Sequence, residues 1–261
     1  MTINCKGNLI DLTTPKVMGI LNTTPDSFYS ESRKTSLTAL LKTAEEMLEQ
    51  GTTFLDIGGY STRPGADDIS VTEELDRVVP AIEAILKNFP ESIISIDTFR
   101  SKIATEALEV GAALVNDISA GNLDKNMMQV VADFQVPYIM MHMRGTPQTM
   151  KDLNEYTELT QEILFYFSEK IKAARALGIN DIIVDPGFGF SKNITQNFEL
   201  LSNLKKLKSL GLPILAGLSR KSTIYKTLNC TRKILAPLAI AIVFKTVVPL
   251  RASCGVQFRV L

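Results

Sequence analysis

Short continuous apolar runs alternate along this chain with longer stretches in which apolar residues recur every three or four positions. The runs fall at residues 17–21, 54–57, 93–96, 113–115, 137–141, 182–184 and 213–218, and each ends in a polar cluster. A continuous apolar run of strand length is buried on both faces, which is the signature of a parallel sheet. Helical periodicity follows at 37–50, 71–88, 102–110 and 155–177. Gly51, Gly111 and Gly178 stand where three of these stretches stop, and Thr72-Glu73-Glu74 opens the second. Glycine just past the last periodic residue is the preferred left-handed helix cap. Seven strand-and-helix units in succession predict an α/β fold of the (β/α)8 TIM-barrel type. Closure needs an eighth strand, for which only residues 247–260 are available, so the eighth unit is the doubtful one. The competing open, doubly wound sheet lacks a Gly-x-Gly-x-x-Gly turn after the first run.

A chain of 261 residues has the size of one such barrel, read here as a single domain over 1–261 with an atypical stretch at about 230–261. The hydrophobic fraction of 45% and charged fraction of 21% are those of an ordinary globular protein. Lys and Arg together number 28, as do Asp and Glu, so net charge gives no ground for a nucleic-acid or membrane partner. The charges are nevertheless unevenly spread. The last acidic residue is Glu199, and the stretch beyond it carries only basic ones. Cys5, Cys230 and Cys254 have neither a disulfide nor a zinc spacing, which predicts a reducing, cytoplasmic setting. Residues 1–11 contain no apolar core of signal-peptide length. Residues 234–250 are strongly apolar, but Pro237, Lys245 and Pro249 interrupt them and they are short for a bilayer span.

Barrel active sites gather where the strands end. Read in order, those ends carry Asn22, Thr62 with Arg63, Asp97, Asn116, His142 with Arg144, Asp185 and Lys221. Helix capping accounts for any one of them, but not for this convergence of acids, amides and cations. Carboxylate and amide side chains match the paired donors and acceptors of an aminopyrimidine-like edge. Met141 and Phe190 are placed to cover a flat ring. Lys221 opens a helix in Ser219-Arg220-Lys221-Ser222, a good contact for an anion or a carbonyl oxygen. Asn22 is an uncharged oxygen donor suited to a phosphate or to a Mg²⁺ shell made mostly of water and phosphate oxygens. His142, the one histidine, reads as a hydrogen-bonded shelf residue. Asp26 reads as a loop organiser, and Asp56 and Asp117 as caps or barrel-mouth acceptors. The lysines at 205, 206 and 208 read as a solvated helix surface.

Several of these segments resemble signatures of the dihydropteroate synthases. They are Asn22-Thr-Thr-Pro-Asp-Ser-Phe28, Asp56-Ile-Gly-Gly-Tyr-Ser-Thr-Arg-Pro-Gly65, Ser95-Ile-Asp-Thr98 and Val115-Asn-Asp-Ile118. Met141-His-Met-Arg-Gly-Thr-Pro147, Asp185-Pro-Gly-Phe-Gly-Phe190 and Ser219-Arg-Lys-Ser222 follow in the family's order. The resemblance covers residues 15–228. It implies condensation of a hydroxymethyl-dihydropterin diphosphate with p-aminobenzoate, with Mg²⁺ as cofactor, sulfonamides as competitors and a homodimer formed through the late helices. It further implies that Asp97, Asn116, Ile118, Met141, Asp185, Phe190, Gly217 and Lys221 hold the pterin. Phe28, Thr62, Pro64, Phe190, Lys221 and Ser222 would surround p-aminobenzoate, and Asn22, Arg63 and Arg259 the diphosphate, with Asn22 also on the metal. Asp97, Lys221, Asn22 and Arg63 would carry the chemistry. A methyltetrahydrofolate-type pterin methyltransferase shares the ring-binding acids, but the Asn22 loop and Ser61-Thr-Arg-Pro-Gly65 favour the synthase. Nothing in those loops points to sulfonamide tolerance.

The family closes on an Arg-x-His motif, whereas this sequence reads Arg259-Val260-Leu261. Pro237 also falls inside the helix expected before it, at a cost of ~3 kcal/mol for an interior position. The expectation is a tail altered near residue 230 by a frame change or truncation, with barrel closure and activity reduced. A pterin-binding relic is therefore the alternative to the active enzyme.

Overall fold

The computed structural model describes residues 1–23, 33–62, 67–218 and 257–260, with 33–36 and 257–260 described as backbone. A hairpin, β1 (Thr2–Cys5) and β2 (Asn8–Asp11), comes first. Six parallel strands follow: β3 (Val17–Asn22), β4 (Phe54–Gly58), β5 (Ile93–Asp97), β6 (Leu114–Asp117), β7 (Tyr138–Met141) and β8 (Ile182–Asp185). They pair in chain order, and an isolated parallel bridge from Val184 to Ile214 continues the series at the seventh predicted run. The connecting helices are α1 (Arg33–Glu49), α2 (Val71–Asn88), α3 (Ser101–Glu109), α4 (Met127–Phe134), α5 (Leu159–Ala176) and α6 (Ile194–Ser202), with a 3₁₀ helix at Leu204–Leu210.

Alternation along each strand separates two apolar populations. Outward residues such as Leu55, Ile57, Ile94, Ile96 and Val115 pack with Val78, Ile82, Ile103 and Ile163 of the helices. Inward residues Met18, Phe54, Leu114, Ile139, Ile183 and Leu215 form a second cluster together with Ile3 and Cys5 of the hairpin. The hairpin thus plugs the floor of the barrel. Its turn has positive φ at Lys6 (51°) and Gly7 (88°), as a two-residue hairpin turn with both central residues left-handed requires. Asn4 N–H also donates to Asp181 Oδ2 (2.8 Å), tying the plug to the approach to β8. Burial pushes the Cys5 thiol up to about 12, with the Asp181 charge adding to it, so this cysteine is chemically quiet.

Helix ends depart from the sequence expectation in instructive ways. Ser70, rather than Thr72, caps α2 by accepting from Glu73 N–H (3.1 Å). Helix α5 begins at Leu159, four residues later than its periodicity indicates. Glu162 Oε1 accepts from both Thr157 and Glu158 N–H (2.8 and 3.0 Å), satisfying the first amides of a turn that starts there.

The eighth position is filled by β9 (Gln257–Val260), which pairs with β3 but runs antiparallel. This corrects the expectation of a parallel eighth unit. A parallel neighbour must re-enter from the floor, whereas Gln257 enters opposite Ile20 and Val260 ends opposite Val17. Among the described residues no helix is long and apolar enough to cross a membrane. The apolar stretch 234–250 lies outside them.

Candidate active site

The strand register explains how distant residues meet at the open end. Asn22 pairs with Gly58, Gly58 with Asp97 and Asp97 with Asn116, so one rung crosses four strands. Beyond β6 the rung drops toward the floor, since Asn116 faces Ile139 and Ile139 faces Ile183. This stagger is what closing a sheet into a barrel requires. The inward residues one step higher on β7 and β8, Met141 and Asp185, are partners of each other and complete the ring. Gly58 leaves space beside Asp97: a Cβ there would lie 3.4 Å from the Asp97 Cβ. Asn116 Nδ2 donates to Asp56 Oδ2 (2.9 Å) across β5, both residues being buried, so the amide is already oriented. Asp56 is therefore an interior acceptor beneath the mouth, whereas Asp117 organises the turn after β6. The latter accepts from Ser119 N–H, Gly121 N–H and Tyr138 Oη–H, each at 2.7 Å.

Above this polar layer sits a third apolar cluster. Ile118, Met141, Met143 and Met150 pack together, with Phe99, Leu123 and Phe190 against them. Polarizable methionines and aromatic edges beside fixed hydrogen-bonding groups suit a flat heteroaromatic ring.

The segment after β8 is clasped to the segment after β7. His142 N–H donates to Asp185 O (2.9 Å), and Asp185 Oδ1 accepts from Gly187 N–H (2.8 Å). Gly187 has φ +70°, and a Cβ there would stand 2.1 Å from His142 O, so only glycine permits this approach. Ser191, also left-handed at φ 50°, accepts from Arg144 N–H (2.8 Å) and donates to Arg144 O (3.1 Å). Burial, reinforced by the charges of Lys192 and Arg144, pushes the His142 imidazole down to about 2, so the ring is neutral.

A separate network holds the segment after β4. Arg77 Nη1 donates to Gly59 O (2.9 Å). The buried Glu74 accepts from Thr98 Oγ1–H (2.8 Å) and pairs with Arg100 (2.9 Å). Arg100 reaches on to Asp68 Oδ1 (3.1 Å) and Ile69 O (2.8 Å), with its guanidinium 5.1 Å from the centre of the Tyr60 ring. Burial raises the Glu74 carboxyl above its ordinary range, against the opposing pull of Thr98 and Arg100.

The structure brings Asn22, Asp97, Asn116, Ile118, Met141, Asp185, Phe190 and Gly217 to one end of the barrel, with half-buried Thr62 in the segment after β4. Phe28, Arg63, Pro64, Lys221 and Ser222 lie outside the described residues. Arg259 is described by its backbone register alone. It faces Met18, four residues before Asn22, or about 13 Å toward the floor at strand rise. Sequence reasoning missed Glu74, Arg77, Arg100 and Lys192. Arg100 stands three residues after Asp97, and Lys192 two after Phe190, so both were within reach of motifs already singled out. Among the described residues no group of three or more His, Cys, Asp or Glu is placed to hold a metal ion. Exposed Asn22, on the same rung as Asp97, offers one hard oxygen donor of the kind Mg²⁺ takes when it brings phosphate and water ligands with it.

A family model described as a pterin binding enzyme matches residues 18–247. The dihydropteroate synthase of Synechocystis is 46% identical over 215 residues, spanning 82% of this chain and 74% of that protein. The Escherichia coli K12 enzyme of the same name is 42% identical over 231 residues, spanning 88% and 81%. Among solved structures, Yersinia pestis dihydropteroate synthase in a sulfonamide complex superposes with TM-score 0.85 at 39% identity, covering 93% of this chain and 90% of that one. The Xanthomonas albilineans enzyme with 4-aminobenzoic acid gives 0.84 at 37%, covering 93% and 88%.

Proposed function

The chain belongs to the pterin binding enzymes, among the dihydropteroate synthases of folate biosynthesis, and from that premise we propose how its own residues do the work. The reaction is a substitution at the pterin methylene. The C–O bond to diphosphate breaks, the aniline nitrogen of p-aminobenzoate forms the new C–N bond, and that nitrogen loses a proton. Asp97, Asn116 and Asp185 take the polar edge of the pterin, while Ile118, Met141 and Phe190 cover its faces and Gly217 lies against it. As diphosphate departs, positive charge develops on the methylene and ring, and the Asp97 carboxylate is the group that stabilises it. Thr62 and Phe190, with Phe28, Pro64 and Ser222, border p-aminobenzoate. Lys221 would join the pterin and p-aminobenzoate contacts, Arg63 and Asn22 would take the departing anion, and Asn22 would give one oxygen to a Mg²⁺ that would neutralise its charge.

One observation carries this reading: an acid, an amide and a second acid converge on the inward register beside a methionine- and phenylalanine-lined surface. Exposed Phe165 and Leu177 at α5, with Ile194 and Phe198 on α6, support a homodimer formed through the late helices. The widely spaced cysteines, with Cys5 buried and free, support a cytoplasmic setting.

The test is diphosphate release from the pterin diphosphate with p-aminobenzoate and Mg²⁺. Release that needs p-aminobenzoate, stops with a sulfonamide and falls on chelation establishes the reading in full. Release unaffected by chelation removes Mg²⁺ from it. The register of β9, which leaves Arg259 opposite Met18, favours a catalytically impaired pterin binder as the second reading. Pterin binding without release would select it.

A further inference from the structure

Lys192 lies two residues beyond Phe190, is 9% exposed, and points its ammonium into the barrel wall rather than toward solvent. Its Nζ lies 3.0 Å from His142 Nδ1, 3.1 Å from Gly187 O and 2.9 Å from Phe190 O. An ammonium carries three N–H donors and no lone pair, so all three contacts are donations and His142 Nδ1 is an acceptor. The proton of the neutral ring is therefore on Nε2. Burying a cation is costly unless its donors are satisfied, and here the acceptors belong to the two segments that frame the mouth. Gly187 and Phe190 are the residues between which the β8 segment turns, and His142 belongs to the β7 segment. The backbone of Lys192 is held in turn, since its carbonyl accepts from Asn197 Nδ2 (3.1 Å). The His142 ring is wedged edge-on against Tyr166, with centroids 4.8 Å apart, so it is a fixed anchor.

We propose that Lys192 is a positioning residue for the pterin: from behind the site it fixes the loop that presents Asp185 and Phe190, using the His142 ring as its anchor. The proposal rests on the pterin-binding reading given above. Lys192 touches neither substrate. Gly187 O also accepts from Phe190 N–H (3.1 Å), so the ammonium adds to that turn, ties it to the His142 ring and so holds the β8 loop in its binding shape before the pterin arrives. Such preorganisation acts on binding of the pterin first and on p-aminobenzoate only through Phe190.

The experiment compares the wild-type chain with Lys192→Met and Lys192→Arg. Steady-state diphosphate release, equilibrium binding of an oxidised pterin by fluorescence quenching, and ¹⁵N spectra of the single histidine are measured well below each melting temperature. Lys192→Met is expected to weaken pterin binding at least tenfold, to raise the pterin KM more than that for p-aminobenzoate, and to release His142 from its single Nε2–H tautomer. Lys192→Arg should recover part of both. Unchanged pterin affinity in a folded Lys192→Met variant, or an unchanged histidine spectrum, overturns the proposal while leaving the synthase reading intact. If Lys192→Met does not fold, Lys192→Arg decides: an altered tautomer with unaltered pterin affinity overturns the proposal. Wild-type protein that neither binds the pterin nor releases diphosphate sinks the functional reading and the proposal with it.

Discussion

The two halves of the barrel mouth are built differently. From β5 to β8 the polar groups assigned to the pterin stand on strand ends, and buried hydrogen bonds orient them, Asn116 on Asp56 and Asp185 on Gly187, with His142 and Lys192 bonded behind them. On the β3–β4 side Asn22 is exposed, and what is fixed lies one residue on. Thr23 N–H and Oγ1–H both donate to Gly58 O (2.9 and 3.1 Å). The segment after β4 is held at its two ends, by Arg77 on Gly59 and by Arg100 on Asp68 and Ile69. A planar neutral ring is recognised by direction, so its partners gain from being immobile. A diphosphate is recognised by charge, which acts over longer distances and tolerates looser placement. The comparison predicts that changes in the β7–β8 clasp cost more than changes near β9.

The largest effect is expected at Gly187. Alanine there meets a left-handed backbone and a carbonyl 2.1 Å from its Cβ, for an expected loss of about 3 kcal/mol or more in urea unfolding. A Gly187→Ala protein of wild-type stability would mean that the two segments part easily, and the contrast between the halves would fail. Next comes Asp185→Asn. Losing a charge-assisted hydrogen bond worth about 1.5–3 kcal/mol should lower kcat/KM on the order of 10- to 100-fold, with the effect on the pterin side. An equal rise in both substrates' KM would count against the assignment of Asp185 to the ring.

The third prediction concerns pH. The His142 pKa is depressed in the fold, to about 2, while the unfolded ring titrates near the ordinary 6.5. Below that value the unfolded chain takes up a proton that the native chain refuses. Its contribution to stability is thus complete above pH 6.5 and is lost progressively as pH falls toward 2, by up to about 1.4 kcal/mol per pH unit. Asn at position 142 keeps an acceptor for Lys192 and cannot titrate. Stability curves of wild type and His142→Asn should therefore converge or cross as pH falls from 7 to 5, and parallel curves would contradict a buried neutral ring.

Much of this architecture was legible because the signals were local and strong. The six described parallel strands fall within one or two residues of the apolar runs, and α2 matches its periodic stretch at both ends. Helices α4 and α6 were not read. The first, Met127–Phe134, is only eight residues long, and its polar face is the single pair Gln129 and Asp133, too little to set a period. The second carries a readable signal, the reciprocal cap of Asn193 and Gln196, but directly follows a glycine-rich motif that draws attention to chemistry. The floor hairpin rests on two four-residue strands and a Lys6-Gly7 turn, too little pattern to stand out. The site's supporting charges stand near the motifs, but their roles are illegible for another reason. Glu74, Arg100 and Lys192 act by burial and pairing across distant segments, which spacing in one sequence does not reveal. Pro80 sits inside α2, so a proline such as Pro237 does not by itself bar a helix.

The smallest effect is expected where the sequence and the backbone disagree most. By motif, Arg259 belongs with the diphosphate. By register it faces Met18, in the rung that lines the floor cluster, with β9 running down from Ile20 to Val17. Its backbone position is about 13 Å below Asn22 at strand rise. Arg259→Ala should therefore leave the KM for the pterin diphosphate within about twofold of wild type, or 0.4 kcal/mol. Its salt dependence should also be unchanged, because no charge has been taken from the anion end. A tenfold rise in that KM, with a flattened salt dependence, would require the last strand to run parallel to β3 and deliver Arg259 to the mouth. The two halves of the mouth would then be alike in drawing their charges from strand ends, and the distinction between them would rest on the loops alone.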